Sequence, residues 1–184
     1  MKLAVFLATG FEEVEAITVI DYLRRAGVEV SVVSVEASTP VTGAHNMRIT
    51  PDIGLNDYLV ENANSLPDAI YLPGGMPGAT NLADNQQLID FIKTCFDANK
   101  IISAICAAPV VVLAKTGVLQ NRKFACYPGM QGDLAGYMPN TPVVVDSNLV
   151  TGAGPGCAGK LAVELVRLLC NDQSAQDIHE STLL

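Results

Sequence analysis

The sequence predicts an α/β fold in which a mainly parallel sheet is covered by helices on both faces. Short apolar runs alternate with longer segments of helical period, which is the pattern of strands joined by crossover helices. Hydrophobic residues make up 49% of the 184 positions and charged residues only 16%, so the chain can bury a sizeable core. No linker, repeat or low-complexity tract interrupts the pattern, and we expect one domain over residues 1–184.

The first half of the chain predicts two strands, a helix and a hairpin. Lys2 to Ala8 is apolar enough to form a strand buried on both sides. A helix follows from about Glu12 to Ala26, because its apolar residues recur at helical spacing and Gly27 is placed to end it. Val28 to Val35 is the next strand, and Val41 to Ile49 is a hairpin that turns at Gly43-Ala44.

The second half alternates buried strands with amphipathic helices. Glycine and proline end the first of these strands, and apolar residues recur at core spacing in the helices. In chain order we expect a strand at Asp68 to Leu72, a helix at Gln86 to Ala98, a strand at Ile101 to Ile105, a helix at Ala107 to Lys115, strands at Lys123 to Tyr127, Val143 to Val145 and Leu149 to Thr151, and a closing helix at Ala158 to Leu169.

Charge and composition exclude several classes of function. The formal net charge is −8 and no Lys/Arg cluster is present, which argues against binding to nucleic acid or to anionic membrane surfaces. No segment approaches the ~20 apolar residues of a membrane span, and no secretion signal is evident, so we expect a soluble, cytoplasmic protein. Five irregularly spaced cysteines and two distant histidines predict neither a disulfide scaffold nor a zinc site.

Four loops at the carboxyl ends of predicted strands carry unusual residues. In an open α/β sheet these ends face one edge, where ligands bind. If the predicted sheet is correct, the four loops meet there: Gly10 to Glu15, Pro73 to Gly78, Cys106 to Pro109 and Gly152 to Gly156.

Cys106 is the strongest candidate nucleophile. A buried strand leads directly into it, and small residues then lead into a helix, as in the elbow that holds a hydrolase nucleophile. The helix N-terminus is expected to lower the pKa of the thiol. The alternative is a small cysteine packed at a strand end.

The other four cysteines are weaker candidates. Cys157 is a rival nucleophile because it too opens a helix. The role of Cys126 is undecided, and Cys95 and Cys170 are expected to be packing residues.

The glycine-rich loop and the acidic helix start offer further groups. Gly74 and Gly75 let backbone N–H groups approach a ligand, so Gly75 could form an oxyanion hole with Ala107, although a tight turn explains the glycines equally well. Glu12 and Glu13 are expected simply to favour the helix dipole. Glu15 borders the buried helix face and therefore needs a partner or a proton.

Three other features carry weaker signals. Gly154 to Lys160 matches nucleotide-binding patterns by count, but too little chain follows for that fold, so we read it as a glycine-rich helix start. His45 in the hairpin is expected to be solvated. Tyr127 could line the site, although an aromatic residue at a strand end is usually packing. Neither histidine is placed to act as the base of a Cys/His pair.

Taken together, these motifs resemble the DJ-1/ThiJ/PfpI superfamily, and specifically its DJ-1-like branch. The resemblance runs over almost the whole chain, and the order and spacing of its motifs make it specific. It rests on Gly10 to Glu15, Leu72-Pro73-Gly74-Gly75 and Ala104-Ile105-Cys106-Ala107-Ala108-Pro109, with Arg24-Arg25-Ala26-Gly27, Thr50-Pro51-Asp52 and Gly154-Pro155-Gly156 in support.

The resemblance implies a flavodoxin-like sandwich, a homodimer, and an oxidisable nucleophile at Cys106. It also implies that Glu15 is a buried acid hydrogen-bonded to the thiolate, that Gly75 and Ala107 are oxyanion donors, and that Pro155 lies near the pocket. Two departures alter the pocket. Tyr127 stands where many relatives have a histidine, and both His45 and Ala153 stand where the DJ-1 branch has an arginine.

The leading hypothesis is a cofactor-independent and metal-independent glyoxalase or deglycase acting on methylglyoxal-type dicarbonyls through Cys106 and Glu15. The alternative is an oxidative-stress sensor or redox chaperone that operates through a Cys106 sulfinate without turnover. A PfpI-type peptidase or amidase is the third hypothesis, because neither histidine is placed to act as a general base for Cys106. Whether His45 or Tyr127 replaces that histidine stays open.

Overall fold

A central sheet of seven strands organises the protein. The structure is a computed structural model that describes residues 1–36 and 40–184. The strands lie in the order β5-β2-β1-β6-β7-β9-β8, and all neighbouring pairs are parallel except β8 with β9. They are β1 Lys2–Leu7, β2 Glu29–Ser34, β5 Ile53–Gly54, β6 Ala69–Leu72, β7 Ile101–Ile105, β8 Val143–Asp146 and β9 Leu149–Gly152. Strands β3 (Val41–Thr42) and β4 (Arg48–Ile49) form a separate antiparallel hairpin.

Helices cover both faces of this sheet, which confirms the predicted α/β sandwich. Buried side chains form one apolar cluster on each face: α1, α6 and α7 contribute to one cluster, and α2, α3, α4 and α5 contribute to the other. The helices are α1 Glu13–Arg25, α2 Leu55–Glu61, α3 Gly78–Asp84, α4 Gln86–Asp97, α5 Ala108–Val111, α6 Ala158–Leu169 and α7 Asp172–Ser181. Within the described ranges, none of these helices is long and apolar enough to cross a membrane.

A cluster of three aromatic rings packs helices α2 and α4 against strand β1. Phe6 of β1, Tyr58 of α2 and Phe91 of α4 meet edge to face, with ring centroids 5.9–6.0 Å apart. This geometry is the favourable one for aromatic quadrupoles. The cluster anchors two helices to the strand whose carboxyl end leads into the first candidate site loop.

Two predicted elements differ in the structure. The segment Lys123 to Tyr127 is not a strand: both sides of β9 are already paired, by β7 and β8, so the Ala125 N–H donates to the Thr151 hydroxyl instead (2.9 Å). The predicted helix Ala107 to Lys115 is also shorter. It ends at Val111, and a 3₁₀ turn over Leu113–Thr116 closes on Gly117, whose φ of 82° belongs to the left-handed region.

Four short or polar elements were not predicted. They are β5, α2, α3 and α7. Helix α3 begins inside the glycine-rich loop at Gly78, and β5 has only two residues, so neither has enough periodicity to be recognised in the sequence. Helix α7 follows α6 after a turn at Cys170 and Asn171 and buries only Ala175 and Ile178.

Candidate active site

The four candidate loops lie together at the carboxyl edge of the parallel strands. Glu12 N–H donates to Gly74 O (2.9 Å), which joins the first loop to the second. Cys106 N–H donates to Gly152 O (2.9 Å), which joins the third to the fourth. A Cβ added to Gly74 would lie 2.7 Å from Cys106 Cβ, so the second and third loops are in direct contact.

Cys106 occupies a sharp turn between β7 and α5. Its φ is 61°, in the left-handed region that residues with a Cβ seldom adopt, and its side chain is half-buried. The turn is held from both sides, because Cys106 N–H donates to Gly152 O and Cys106 O accepts from Tyr127 N–H (2.9 Å). A strained residue that its surroundings fix in this way is typical of a functional position.

Glu15 is a fully buried acid next to this cysteine. It lies in the first turn of α1, and its Oε2 accepts a 2.7 Å hydrogen bond from Gly74 N–H. Among the described residues, its Oε1 has no hydrogen-bond partner. The Tyr71 hydroxyl donates to the Glu15 backbone carbonyl (3.1 Å). Burial raises the pKa of the Glu15 carboxyl to about 7, and the Gly74 and Cys106 hydrogen bonds oppose this rise only in part.

Three backbone amides were expected at the oxyanion position, and they divide into two roles. The N–H groups of Ala107 and Gly75 lie on the side of the Cys106 sulfur and lower the pKa of its thiol. The Gly74 N–H instead holds Glu15. Gly75 has a φ of 88°, and an added Cβ would collide with the Glu12 backbone nitrogen, so glycine is required to bring this amide to the sulfur.

The pKa of the thiol departs from the value expected at a helix start. Burial and the neighbouring Glu15 carboxylate raise the pKa of Cys106 to about 12, although the Ala107 and Gly75 amides lower it. The expectation of a lowered pKa was wrong because α5 has only four residues and the sulfur is half-buried beside an acid. The Glu15 carboxylate raises the pKa of Cys106, whereas the Cys106 hydrogen bond lowers the pKa of Glu15, so Glu15 loses its proton first and the pair holds one negative charge over a wide range of pH.

Tyr127 and Pro155 lie in the two segments that hold the Cys106 turn. The Tyr127 ring is half-exposed and lies against Gly154, where an added Cβ would be 3.5 Å from Tyr127 Cδ2. Pro155 begins a 3₁₀ turn, Pro155–Cys157, that leads into α6. Tyr127 therefore lies beside the Cys106 turn through a backbone hydrogen bond only, and the place of Pro155 near the pocket stays a prediction.

His45 contacts acids of α1. Its Nδ1 lies 2.9 Å from Glu13 Oε2 and 3.7 Å from Glu12 Oε2, and the Glu13 hydrogen bond raises the pKa of the imidazole. The ring is 66% exposed, as expected for a loop residue, but it is tied to Glu13. His179 lies in α7. Within the described part of the chain, no hydrogen bond links either histidine to Cys106.

Glu13 was expected simply to favour the helix dipole, but it also holds the β3-β4 hairpin. Its side chain is buried, and Oε1 accepts the N–H groups of His45 (2.7 Å) and Met47 (3.3 Å). Burial alone would raise the pKa of Glu13, but these hydrogen bonds and the one to the His45 ring outweigh burial and lower it. Gly43 is glycine because an added Cβ would collide with this carboxyl group.

The other cysteines differ in exposure. Cys95 is buried, as expected of a packing residue, whereas Cys170 is exposed at the end of α6. Cys126 is buried, and burial raises the pKa of its thiol to about 11. Cys157 is partly exposed in the turn before α6 and stays a rival thiol to Cys106.

Comparison with known proteins identifies the family. The DJ-1/PfpI family model matches residues 1–168. Drosophila melanogaster protein dj-1beta is 33% identical over 98% of this chain and 95% of its own length, and the glutathione-independent glyoxalase DJR-1.2 of Caenorhabditis elegans is 34% identical over 86% and 82%.

Solved structures agree with these matches. The crystal structure of Drosophila melanogaster DJ-1beta has a TM-score of 0.92 and 33% identity, and covers 100% of this chain and 97% of its own. Oxidized Toxoplasma gondii DJ-1 has a TM-score of 0.90 and 36% identity, over 99% of this chain and 97% of its own. The chain belongs to the DJ-1/PfpI family.

Proposed function

We propose that this DJ-1-like protein is a glutathione-independent glyoxalase and deglycase that acts on methylglyoxal-type dicarbonyls. One observation carries the proposal: a buried Glu15 lies beside Cys106, and the backbone amides of Gly75 and Ala107 lower the pKa of the same thiol. This arrangement offers a nucleophile, a proton carrier and an oxyanion hole within one small volume. The C. elegans relative named a glutathione-independent glyoxalase supports the same chemistry.

The proposed reaction begins with addition of the Cys106 sulfur to the aldehyde carbon. The C=O π bond opens, the thiol proton passes to the Glu15 carboxylate, and the resulting oxyanion receives hydrogen bonds from Gly75 and Ala107. The oxyanion then takes this proton from Glu15 and becomes a hemithioacetal. The Glu15 carboxylate then removes the proton from the former aldehyde carbon, which gives an enediolate, and returns it to the neighbouring carbon. Transfer of the hydroxyl proton from the oxygen of the first carbon to the oxygen of the second gives the thioester. Water hydrolyses the thioester to a 2-hydroxy acid and frees the thiol, so no external oxidant or reductant is consumed.

The buried acid suits this proton shuttle. Its pKa of about 7 places both protonation states within reach at neutral pH, where a general acid and base is most effective. The one unpartnered oxygen, Oε1, can accept or donate this proton, because Oε2 is already held by Gly74. For deglycation, the Cys106 sulfur would form a bond to the carbinol carbon of a hemiaminal or hemithioacetal adduct of a dicarbonyl. The C–N or C–S bond of the adduct would break, the released amine or thiol would take the thiol proton, and the same enzyme-bound hemithioacetal would result.

The test is the loss of methylglyoxal, and the appearance of lactate, with purified protein in the absence of glutathione. Cys106→Ser and Glu15→Gln should each reduce turnover by at least about 100-fold, since general acid and base catalysis contributes ~10²–10⁴. Cys170→Ser is a matched control, because this thiol is exposed and distant in the fold from the elbow. Turnover that survives in Cys106→Ser would exclude the mechanism, and loss of turnover in Cys157→Ser alone would transfer it to the rival thiol.

A second function, redox sensing or redox chaperoning, is supported by the free Glu15 oxygen. A protonated carboxyl at Oε1 has no competing partner among the described residues, so it could donate to an oxygen of a Cys106 sulfinate. Oxidation at this site could then change partner binding without turnover. A peptidase or amidase is a weaker proposal, because the His45 ring bonds Glu13.

We also propose a homodimer and a reducing, cytoplasmic compartment. Helix α1 leaves Val14 and Ile17 exposed at 50% and 44%, an apolar pair that a second copy could cover. Light scattering coupled to size exclusion should give twice the 19.4 kDa chain mass, and Ile17→Glu should shift the measured mass toward that of one chain.

The five free cysteines suit a reducing compartment, and the net charge of −8 argues against a nucleic-acid partner.

A further inference from the structure

Three metal-ligating side chains meet outside the Cys106 and Glu15 pair. Glu12 and Glu13 lie at the start of α1, and His45 reaches them from the loop of the β3-β4 hairpin. One ligand atom from each residue lies within 4.8 Å of the other two. The sequence predicted no metal site, because His45 is 32 positions away from Glu13 and only the folded hairpin brings them together.

The spacing of the three atoms fits a small transition-metal ion. His45 Nδ1 lies 2.9 Å from Glu13 Oε2 and 3.7 Å from Glu12 Oε2. Ligand bonds of 2.0–2.1 Å in a tetrahedral zinc site place neighbouring ligand atoms about 3.3 Å apart. These two distances bracket this value, and the two carboxylate oxygens lie within 4.8 Å of each other, so a small closing movement of the three side chains would admit an ion.

The backbone already orients the buried carboxylate of Glu13. Its Oε1 is held by two amides of the hairpin, those of His45 and Met47, which leaves Oε2 to face the imidazole. Ala44 N–H also donates to Phe11 O (2.8 Å) and fixes the hairpin against the start of α1. Hydrogen bonds to the non-ligating atoms of a site are what hold metal ligands in place.

The charge of the cluster is unbalanced. Among residues 1–36 and 40–184, His45 is the only cationic side chain that lies within 4 Å of the Glu12 or Glu13 carboxylate. The Glu12 side chain is only 15% exposed, and no donor in those residues hydrogen-bonds it. Two largely desolvated carboxylates against one imidazole leave a net negative charge, which a divalent cation would neutralise.

We propose that Glu12, Glu13 and His45 form a binding site for a divalent first-row transition metal of the Zn²⁺ type. The imidazole ligand favours such ions over Mg²⁺ and Ca²⁺, which prefer all-oxygen sites. Three protein ligands leave a fourth position, and the exposed imidazole places it toward solvent. The site is separate from the thiol chemistry proposed for Cys106, and neither depends on the other.

Isothermal titration of the metal-stripped full chain with Zn²⁺ tests the site. We expect one ion per chain, with affinity reduced at least about tenfold in His45→Ala and in Glu12→Gln, since even losing a group that only supports a ligand costs ~10–100-fold. His179→Ala is the matched control, because it removes the other histidine of the chain and should leave the affinity unchanged. His45→Ala and Glu12→Gln leave the Glu13 carboxylate in place, so the hydrogen bonds from the hairpin amides to Glu13 are kept.

Cobalt absorption separates this site from binding by cysteine. Co²⁺ bound by two carboxylates and an imidazole should show visible bands without a sulfur charge-transfer band in the near ultraviolet. An affinity for Zn²⁺ that is unchanged in His45→Ala, or no measurable binding in the wild-type protein, overturns the proposal. A sulfur charge-transfer band that disappears in Cys106→Ser or Cys157→Ser also overturns it, by assigning the ion to a thiol.

Discussion

Gly74 contacts Glu15 in two ways that no other residue type could combine. Its N–H donates a 2.7 Å hydrogen bond to Glu15 Oε2, and its Cα approaches the acid so closely that an added Cβ would lie 2.8 Å from the same oxygen. The added Cβ would also lie 2.7 Å from Cys106 Cβ and 3.0 Å from Ile105 O. The glycine therefore allows the acid and the thiol to share one face of the loop.

Gly74→Ala should consequently damage both stability and activity. Overpacking of this kind costs about 1–3 kcal/mol, and relief by moving the Glu15 carboxyl would displace the proposed proton carrier from the sulfur. Urea unfolding and methylglyoxal turnover measure the two effects. Gly156→Ala makes the same chemical change where an added Cβ meets nothing within 4 Å, so it should leave stability almost unchanged. Equal behaviour of the two variants would contradict the steric argument.

The buried Glu15 should make stability fall as pH rises toward neutrality. Its pKa is about 7 in the folded protein against 4.5 for an ordinary carboxyl, so between these values the folded state holds a proton that the unfolded state has released. Stability therefore declines over this window, by about 3 kcal/mol from this group, and the loss is complete above pH 7. Below pH 4.5 both states are protonated and the group contributes no slope.

Glu15→Gln removes this titration and tests the sign. The stability difference between Glu15→Gln and wild type should shift by about 3 kcal/mol in favour of the variant as the pH increases from 4.5 to 7, in urea unfolding at several pH values. Glu61→Gln makes the same change at an exposed position near the end of α2 and should give a constant difference. A constant difference for Glu15→Gln as well would show that the acid is not held protonated.

The sequence was sufficient to predict the elements with strong apolar periodicity and the strand-to-helix turn at Cys106. The strand before Cys106 and the helix that carries Glu15 are apolar at regular spacing, and the motifs around them also identify the family. Lys123 to Tyr127 has the same apolar appearance, but a strand needs a free neighbour, and the pairing of β9 is a property of the whole sheet. Periodicity carries no information about which edges are already occupied.

The parts of the site that were missed depend on long-range contacts. Glu13 differs from Glu12 only by its position in one helical turn, yet the hairpin covers Glu13 and buries it. The glycine at Gly43, which makes room for this carboxyl, was visible in the sequence but was read only as a turn residue. In the same way, the thiol pKa depends on burial beside Glu15, whereas the helix start was the only influence visible along the chain.

Glu13 should control the opening of the hairpin. Glu13→Ala removes the acceptor of the His45 and Met47 amides, so local opening should become about 1–3 kcal/mol easier and exchange of these amides about tenfold to hundredfold faster. Hydrogen exchange monitored by NMR measures this. Glu12→Ala is the neighbouring control, because no amide of the hairpin donates to Glu12 in the described residues. Equal acceleration by both variants would mean that general charge, and not the specific acceptor, holds the hairpin.

Mild peroxide should oxidise Cys106 selectively and add two oxygen atoms. The thiolate attacks one peroxide to give the sulfenate and a second to give the sulfinate, and each step releases one water. The Cys106 sulfur is half-exposed and therefore accessible to peroxide, whereas the Cys95 and Cys126 side chains are buried. Intact mass and peptide mapping should place both oxygens on Cys106 and find none in Cys106→Ser. Cys157→Ser should oxidise like wild type, and oxidation that follows Cys157 instead would move the reactive thiol from the strand elbow to the turn before α6.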